Sequence, residues 1–130
     1  MITKERKNQL VAWANDVIQD GGGLVYNNNT INKSYNGQIA GFSVSVAMSG
    51  LKPALALYMS GSSSSDVDKS AIVGLLAKMY NKEYGGNKDK DALYKMVINE
   101  SDSDKINVYR EKIVEYAIAL KLAVRTFKLV

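Results

Sequence analysis

The sequence contains neither cysteine nor histidine, and Pro53 is its single proline. Without cysteine there is no disulfide and no thiolate metal site, which is typical of proteins in a reducing compartment, so we expect a cytoplasmic protein. Without histidine there is no Ser-His-Asp triad, no Cys-His pair and no imidazole ligand. Enzymes can work with carboxylates and lysines alone, but these absences favour a protein that is not an enzyme and has no cofactor.

The chain also lacks the long apolar segments that membranes require. No uncharged apolar run reaches the roughly 18 residues of a membrane span, and the basic N-terminal residues precede only a short apolar patch, unlike a secretory signal. We therefore expect no membrane partner. The 130 residues predict one domain over 1–130, which can bury an adequate core without cross-links. A net charge of +4 permits a polyanionic partner without requiring one.

The longest apolar stretch covers residues 39–59 and is interrupted at Ser49 and Gly50, with Pro53 shortly after. Glycine just past one helix and proline in the first turn of the next are typical of two helices that meet at a tight corner. We predict one helix over residues 39–48 and another that begins near Leu51. Residues 42–46 alternate like a strand and Asn36-Gly37 is typical of a hairpin, but one isolated hairpin would be marginal in an otherwise helical chain.

Apolar residues at helical spacing predict the other helices. The first covers residues 3–20 and ends at three glycines, residues 21–23; residues 27–30 are a loop or a helix cap. The next helix begins at Ser65 or Asp66, runs to about Lys82 and is closed by glycines 85 and 86. A short helix covers residues 89–99, and the longest runs from Lys105 to about Leu129. The predicted fold is an all-α, single-domain bundle of five to six helices with a long C-terminal helix.

The last helix is apolar on two sides. One side is predicted to face the core, and it carries Ile106, Tyr109, Ile113, Tyr116, Leu120, Val124 and Phe127. A second apolar strip carries Val114, Ile118, Leu122 and Leu129. Either the short helices of the same chain cover this strip or a partner chain does. With the last helix placed at the surface, we predict a subunit interface there.

Three Asp-x-Asp pairs could hold Mg²⁺ or Ca²⁺, namely Asp66/Asp68, Asp89/Asp91 and Asp102/Asp104. Each pair stands at the start of a predicted helix, where an aspartate accepts hydrogen bonds from unpaired backbone N–H groups and interacts with the positive end of the helix dipole. One explanation serves all three pairs. We therefore interpret them as helix caps and predict no metal site and no catalytic residue.

Four basic residues of the last helix lie close together beside the second strip, namely Arg110, Lys121, Arg125 and Lys128. Such a cluster can contact phosphates, which need charge but little geometry. It is also common as a solvated helix face. Tyrosines among lysines, such as Tyr80 and Tyr84, can stack on the bases of single-stranded nucleic acid. In a helical bundle, however, a tyrosine more often has its ring in the core and its hydroxyl at the edge of the core. Composition alone slightly favours the structural roles, namely a solvated helix face and tyrosines at the rim of the core.

Two segments carry a family resemblance. Residues 49–58 read Ser-Gly-Leu-Lys-Pro-Ala-Leu-Ala-Leu-Tyr, and the last helix carries Tyr109-Arg110, Glu115, Ala117, Ala119-Leu120, Arg125 and Phe127. Together they resemble the small, all-helical subunit of the type III-B (Cmr) CRISPR effector complex, a family in which length and helix order also agree. The chain departs from that pattern at Ala123, where the family commonly has tryptophan, and in the Asn- and Gly-rich residues 26–41.

The resemblance implies a non-catalytic structural subunit in antiviral defence. Family members stack in two or three copies along the guide RNA–target RNA duplex, as a minor filament beside a backbone subunit, and touch the large polymerase-like subunit at one end. By position, the resemblance implies RNA-backbone contacts for Lys52, Arg110 and Arg125. From the placement of charge alone, we add Lys78, Lys82, Lys121 and Lys128.

Three alternatives stay open at this point. The first is the small subunit of the sister type III-A (Csm) complex, which shares size, helicity and basic character. The second is a helical protein–protein adaptor with no nucleic acid partner. An enzyme that uses the aspartate pairs with Mg²⁺ is the least favoured of the three.

Overall fold

The computed structural model describes residues 3–20, 30–60 and 68–130. These ranges form six helices and one small sheet of two strands, in the order α1 Lys4–Gln19, β1 Thr30–Ile31, α2 Lys33–Ser49, α3 Leu51–Met59, α4 Ser70–Tyr84, α5 Lys90–Ile98, α6 Ser103–Val124 and β2 Lys128–Leu129. The predicted all-α bundle with a long C-terminal helix is confirmed. The predictions for residues 21–23, 27–29 and 65–67 lie outside the described residues. No helix in the described ranges is both long and apolar enough to cross a bilayer.

The predicted corner forms between α2 and α3. Gly50 is the one residue between them, with φ 94° and ψ 167°, and its N–H donates to the carbonyl of Val46 at 2.8 Å. This backbone conformation is rarely open to residues with a side chain. Pro53 lies in the first turn of α3, where a missing N–H removes no bond within the helix. Local chemistry therefore fixes the angle at which the two helices meet.

Gly50→Ala is expected to lower the free energy of unfolding by about 1–3 kcal/mol, because alanine would have to adopt that conformation. A Cβ at this position would be 3.8 Å from Pro53 Cδ, which is ordinary contact, so the loss reports on the backbone rather than on a clash. Gly74→Ala in the interior of α4 is the matched control. A Cβ there meets nothing within 4 Å, so alanine should stabilise by up to about 1 kcal/mol. Equal urea midpoints for the two variants would contradict the prediction.

Helix α2 begins earlier than predicted, at Lys33. The side chain of Asn32 accepts a hydrogen bond from the N–H of Ser34 at 2.9 Å and so caps the helix. Asn36 and Gly37 lie inside the helix, and residues 42–46 are helical throughout. The helical interpretation of this segment is confirmed, and the hairpin alternative is not formed.

Helix α6 ends earlier than predicted, at Val124 rather than near Leu129. The N–H and the hydroxyl of Thr126 both donate to the carbonyl of Ala123, at 3.0 and 2.7 Å, and a hydroxyl used in this way competes with continued helix. Strand β2 follows and pairs in parallel with β1, a pairing that the sequence did not predict. A helical wheel therefore does not describe the positions of Lys128 and Leu129.

Helix α4 also begins later than predicted, at Ser70. The carboxylate of Asp68 accepts hydrogen bonds from the N–H and the hydroxyl of Ser70, at 3.0 and 2.7 Å. At its other end, Gly85 and Gly86 stop the helix with φ of 81° and 90°, as predicted.

Helix α6 is the central element of the bundle, rather than the surface helix that we expected. It packs against α1, α2 and α4, and the middle of its predicted core face is buried, namely Ile113, Tyr116, Leu120 and Val124. The outlying members of that face, Ile106, Tyr109 and Phe127, are half-buried. The corner contributes Phe42, Val46, Leu51 and Leu55 to the same core.

One polar cluster joins three helices. Arg6 of α1 donates two hydrogen bonds to the carboxylate of Glu83 of α4, at 2.5 and 2.7 Å, and a third to Glu115 of α6 at 3.1 Å. The hydroxyl of the fully buried Tyr116 donates to Glu83 at 2.7 Å. Hydrogen bonds from Arg6 and Tyr116 outweigh the effect of burial and hold the pKa of Glu83 below its ordinary value.

This lowered pKa predicts how stability depends on pH. The contribution of Glu83 is complete above its unfolded pKa, near 4.5, and is lost as the pH falls through the lower folded value. We therefore expect the free energy of unfolding of the wild type to fall more steeply below about pH 4.5 than that of Glu83→Gln, which has no carboxylate to protonate. Urea unfolding from pH 7 to pH 3 measures both slopes. Parallel slopes would show that Glu83 titrates alike in the folded and unfolded states.

Candidate nucleic-acid interface

The seven basic residues predicted to contact RNA lie on several elements. Lys52 belongs to α3, Lys78 and Lys82 to α4, and Arg110 and Lys121 to α6, while Arg125 directly follows α6 and Lys128 belongs to β2. They differ in their immediate neighbours, and these neighbours decide how available each charge is to an anion.

Lys78 and Lys82 face the acidic end of α1. The ammonium of Lys78 donates to the backbone carbonyl of Asp20 at 3.2 Å, and that of Lys82 lies 3.8 Å from the carboxylate of Asp16. Each lysine therefore has an acidic residue beside it. An approaching phosphate would meet both signs of charge here, so this is the weakest part of the predicted interface.

Lys52 connects α3 to the segment that precedes α6. Its ammonium donates to the backbone carbonyl of Glu100 at 2.6 Å. Lys52, for which the family resemblance implies an RNA contact, thus also joins two elements of the fold.

Arg110 is exposed and lines a cleft of about 540 Å³ between α2 and α6. Ser43 and Ala47 line the α2 side of the cleft, and Val114 lies on the α6 side. Among the described residues, no ion pair involves Arg110. Glu111 and Glu115 line the same cleft, so a phosphate that approaches Arg110 there also meets negative charge.

The start of α2 and the end of α6 meet at one end of the molecule. Arg125 Nε donates to the side-chain oxygen of Asn36 at 3.4 Å, and the N–H of Lys33 donates to the carbonyl of Val130 at 3.3 Å. We call the four cations gathered by these contacts the basic pole; they are Lys33, Lys121, Arg125 and Lys128. Lys33, Arg125 and Lys128 are exposed, and Lys121 is half-buried.

The chain segments on either side of the four cations contain no carboxylate side chain. Residues 21–65 and 116–130 have no aspartate and no glutamate. Within the described part of the chain, no ion pair involves any of the four cations. Sequence reasoning missed Lys33, because only folding brings it to the end of α6. The acid-free run around it was the signal that could have drawn attention to it.

The predicted subunit interface divides into two parts. Ile118 and Leu122 are 48% and 50% exposed, and with Val11 of α1 they line a groove of about 310 Å³. Val114 and Leu129 are half-buried and pack against the chain's own core. Ile118 and Leu122 are therefore the members of the strip that a partner could still cover.

A second apolar surface was not predicted. Val44 and Met48 of α2 and Leu57 of α3 are 56%, 81% and 52% exposed. No charged residue occurs from residue 34 to residue 51. We call these three residues, on neighbouring helices, the α2–α3 face. Exposed apolar side chains in an uncharged setting are typical of surfaces that bind other proteins.

The aspartate pairs act as helix caps where the structure describes them. Asp89 accepts a hydrogen bond from the N–H of Ala92 at 2.8 Å, and Asp102 accepts one from the N–H of Asp104 at 2.9 Å. Asp66 lies outside the described residues. In the described ranges, no group of three or more acidic, histidine or cysteine side chains is arranged to hold a metal ion.

Comparison with known families gives one match. The model of a family described as CRISPR-associated protein (Cas_Cmr5) matches residues 3–127. The match spans nearly the whole chain and includes the corner, α6 and most of the basic pole. Comparisons with curated proteins and with solved structures return no significant match.

Proposed function

Because this chain belongs to the Cas_Cmr5 family and is thereby a subunit of a Cmr-type CRISPR complex, we propose that it serves there as a non-catalytic structural subunit that binds RNA backbone. Its RNA partner is the duplex of guide RNA and target RNA. Base pairing within that duplex supplies the sequence specificity, so the protein needs charge rather than base-reading groups.

The observation that carries this proposal is the basic pole. Three of its four cations are exposed, and the segments that build it have no aspartate and no glutamate. A phosphate that approaches the pole breaks no ion pair among the described residues. Each phosphate contact releases a condensed counterion, which makes such binding favourable and dependent on salt. Arg110 extends the interface along α6.

Two separate apolar surfaces support stacking. The groove with Ile118 and Leu122 lies between α1 and α6, whereas the α2–α3 face lies on other helices. Contact between two different faces of identical copies repeats from copy to copy, and it builds a filament where the rotation between copies does not close into a ring. We therefore propose that copies of this chain stack as a minor filament beside a backbone subunit, with the large polymerase-like subunit at one end, in the cytoplasm.

Charge reversal tests the proposal. We expect Arg110→Glu combined with Arg125→Glu to weaken target RNA binding by the assembled complex about 10- to 100-fold at low salt, with the domain still folded. Reversal of Lys33, Arg125 and Lys128 together should give a similar loss. In both variants the slope of log affinity against log salt should fall by about 0.7–0.9 for each lost phosphate contact.

Lys78→Glu combined with Lys82→Glu is the matched control, because those lysines already have acidic neighbours. It should weaken binding much less. Unchanged target affinity of the reversal variants across a salt titration would instead favour the adaptor with no nucleic acid partner. Metal-dependent nuclease activity that disappears on Asp102→Asn would overturn the non-catalytic role.

A further inference from the structure

Three tyrosines form a cluster on another part of the surface. The rings of Tyr80 and Tyr84, one turn apart on α4, have centroids 4.6 Å apart and are tilted by 40°. The pKa of Tyr80 is raised mainly by burial, and to a smaller extent by electrostatic interaction with the hydroxyls of Tyr109 and Tyr84. Tyr109 of α6 comes from a distant part of the sequence and packs against the same core as Tyr80.

The ring of Tyr84 is open to solvent. It is 53% exposed at the last position of α4. Gly85 and Gly86 follow it, and a side chain at either position would meet no atom within 4 Å. Tyr80, half-buried behind Tyr84, packs against the core and holds the pair in place. The cluster thus offers an aromatic surface with open space beside it.

Two lysines lie near the cluster. Lys88 Nζ lies 5.9 Å from the centroid of the Tyr80 ring, and Lys105 acts electrostatically on the hydroxyl of Tyr109. Two carboxylates are also near, but both are engaged. Glu83 is held by Arg6 and Tyr116, and Glu100 accepts from the hydroxyl of Tyr109 at 3.4 Å. Arg6 neutralises Glu83, whereas Glu100 keeps its charge, so two lysines and one carboxylate remain at the edge of the cluster.

We propose that Tyr84, supported by Tyr80, is a stacking platform for an unpaired nucleobase, with Lys88 and Lys105 beside the phosphates that flank that base. Aromatic rings set among cations are the combination that binds single-stranded nucleic acid without reading its sequence. The inference rests on the proposed partnership with RNA. It concerns a different part of that partner, however, because the basic pole binds phosphates and this site binds a base.

The test compares two oligomers of equal charge at high salt, where phosphate contacts are weak. One is a short labelled oligouridylate, and the other is an abasic oligomer of the same length. By fluorescence anisotropy, the full chain should bind the oligouridylate at least about fivefold more tightly. Tyr84→Ala should abolish this preference, and Tyr84→Phe should keep it because the ring remains.

Tyr84→Leu separates stacking from general hydrophobicity, since leucine keeps apolar area but has no aromatic face. It should lose the preference as alanine does. Full retention by Tyr84→Leu, or equal binding of the two oligomers by the wild type, would overturn the proposal, and retention would point to an apolar protein partner. Charge reversal at the basic pole should weaken both oligomers alike at low salt. Failure of the stacking site is therefore distinguishable from failure of the proposed function.

Discussion

Glu83→Ala is expected to lower the free energy of unfolding by about 3 kcal/mol or more. The substitution removes the carboxylate that pairs with Arg6 and accepts a hydrogen bond from the hydroxyl of Tyr116. The side chains of Arg6 and Glu83 are only 17% and 15% exposed, so water replaces the lost contacts poorly. The guanidinium of Arg6 would keep only its bond to Glu115, and the buried hydroxyl of Tyr116 would lose its acceptor; both changes oppose folding.

Lys82→Ala is the matched control, one residue away on the same helix. Its ion pair with Asp16 is longer, at 3.8 Å, and the two side chains are 42% and 61% exposed. Exposed pairs of this kind contribute about 0–1 kcal/mol. Urea or thermal unfolding of both variants at neutral pH gives the comparison. Similar losses of unfolding free energy in the two variants would mean that the cluster of Arg6, Glu83 and Tyr116 stabilises the fold no more than an ordinary surface ion pair does.

Phe42→Ala is expected to lower the free energy of unfolding by about 3–5 kcal/mol, since it leaves a cavity in the core. Phe42 is completely buried in α2. Its ring packs edge-to-face on that of Tyr58 of α3, with centroids 5.2 Å apart, so the substitution also removes an aromatic pair across the corner. The hydroxyl of Tyr58 donates to the backbone carbonyl of Gln38 at 2.6 Å, which fixes the partner ring.

Val44→Ala, two residues further along the same helix, provides the control. Val44 is 56% exposed, so its truncation should change stability by no more than about 0.5 kcal/mol. In a strand, residues 42 and 44 would lie on the same face and both would be buried or both exposed. Comparable effects of the two substitutions in chemical unfolding would therefore contradict the helical register of α2.

The parts of the fold that the sequence predicted are those set by local chemistry. Gly50 and Pro53 are neighbours in sequence, and their effects on the backbone need no distant partner. The spacing of Ile113, Tyr116 and Leu120 likewise identifies the buried side of α6 without knowledge of what covers it. For the same reason, Asp89 and Asp102 could be recognised as caps, because the N–H groups that donate hydrogen bonds to them lie two or three residues away.

The parts that were missed depend on contacts between remote segments. Strands β1 and β2 are two residues each, too short for an alternating pattern to indicate them. Their pairing moves Lys128 out of the helix in which periodicity had placed it, and the same end of the fold brings Lys33 beside it. The acidic neighbours of Lys78 and Lys82 also come from another helix. Charge counted along one element could therefore not separate available cations from paired ones.

The α2–α3 face affects how long an unassembled copy of the protein survives inside a cell. Under the proposed stacking, Met48, which is 81% exposed in the single chain, stays in contact with water until a neighbouring subunit covers it. Exposed apolar surface of this kind is bound by chaperones, proteases and other unassembled proteins. Synthesis in step with the remaining subunits would shorten that solitary stage, and surplus copies should be degraded sooner than assembled ones.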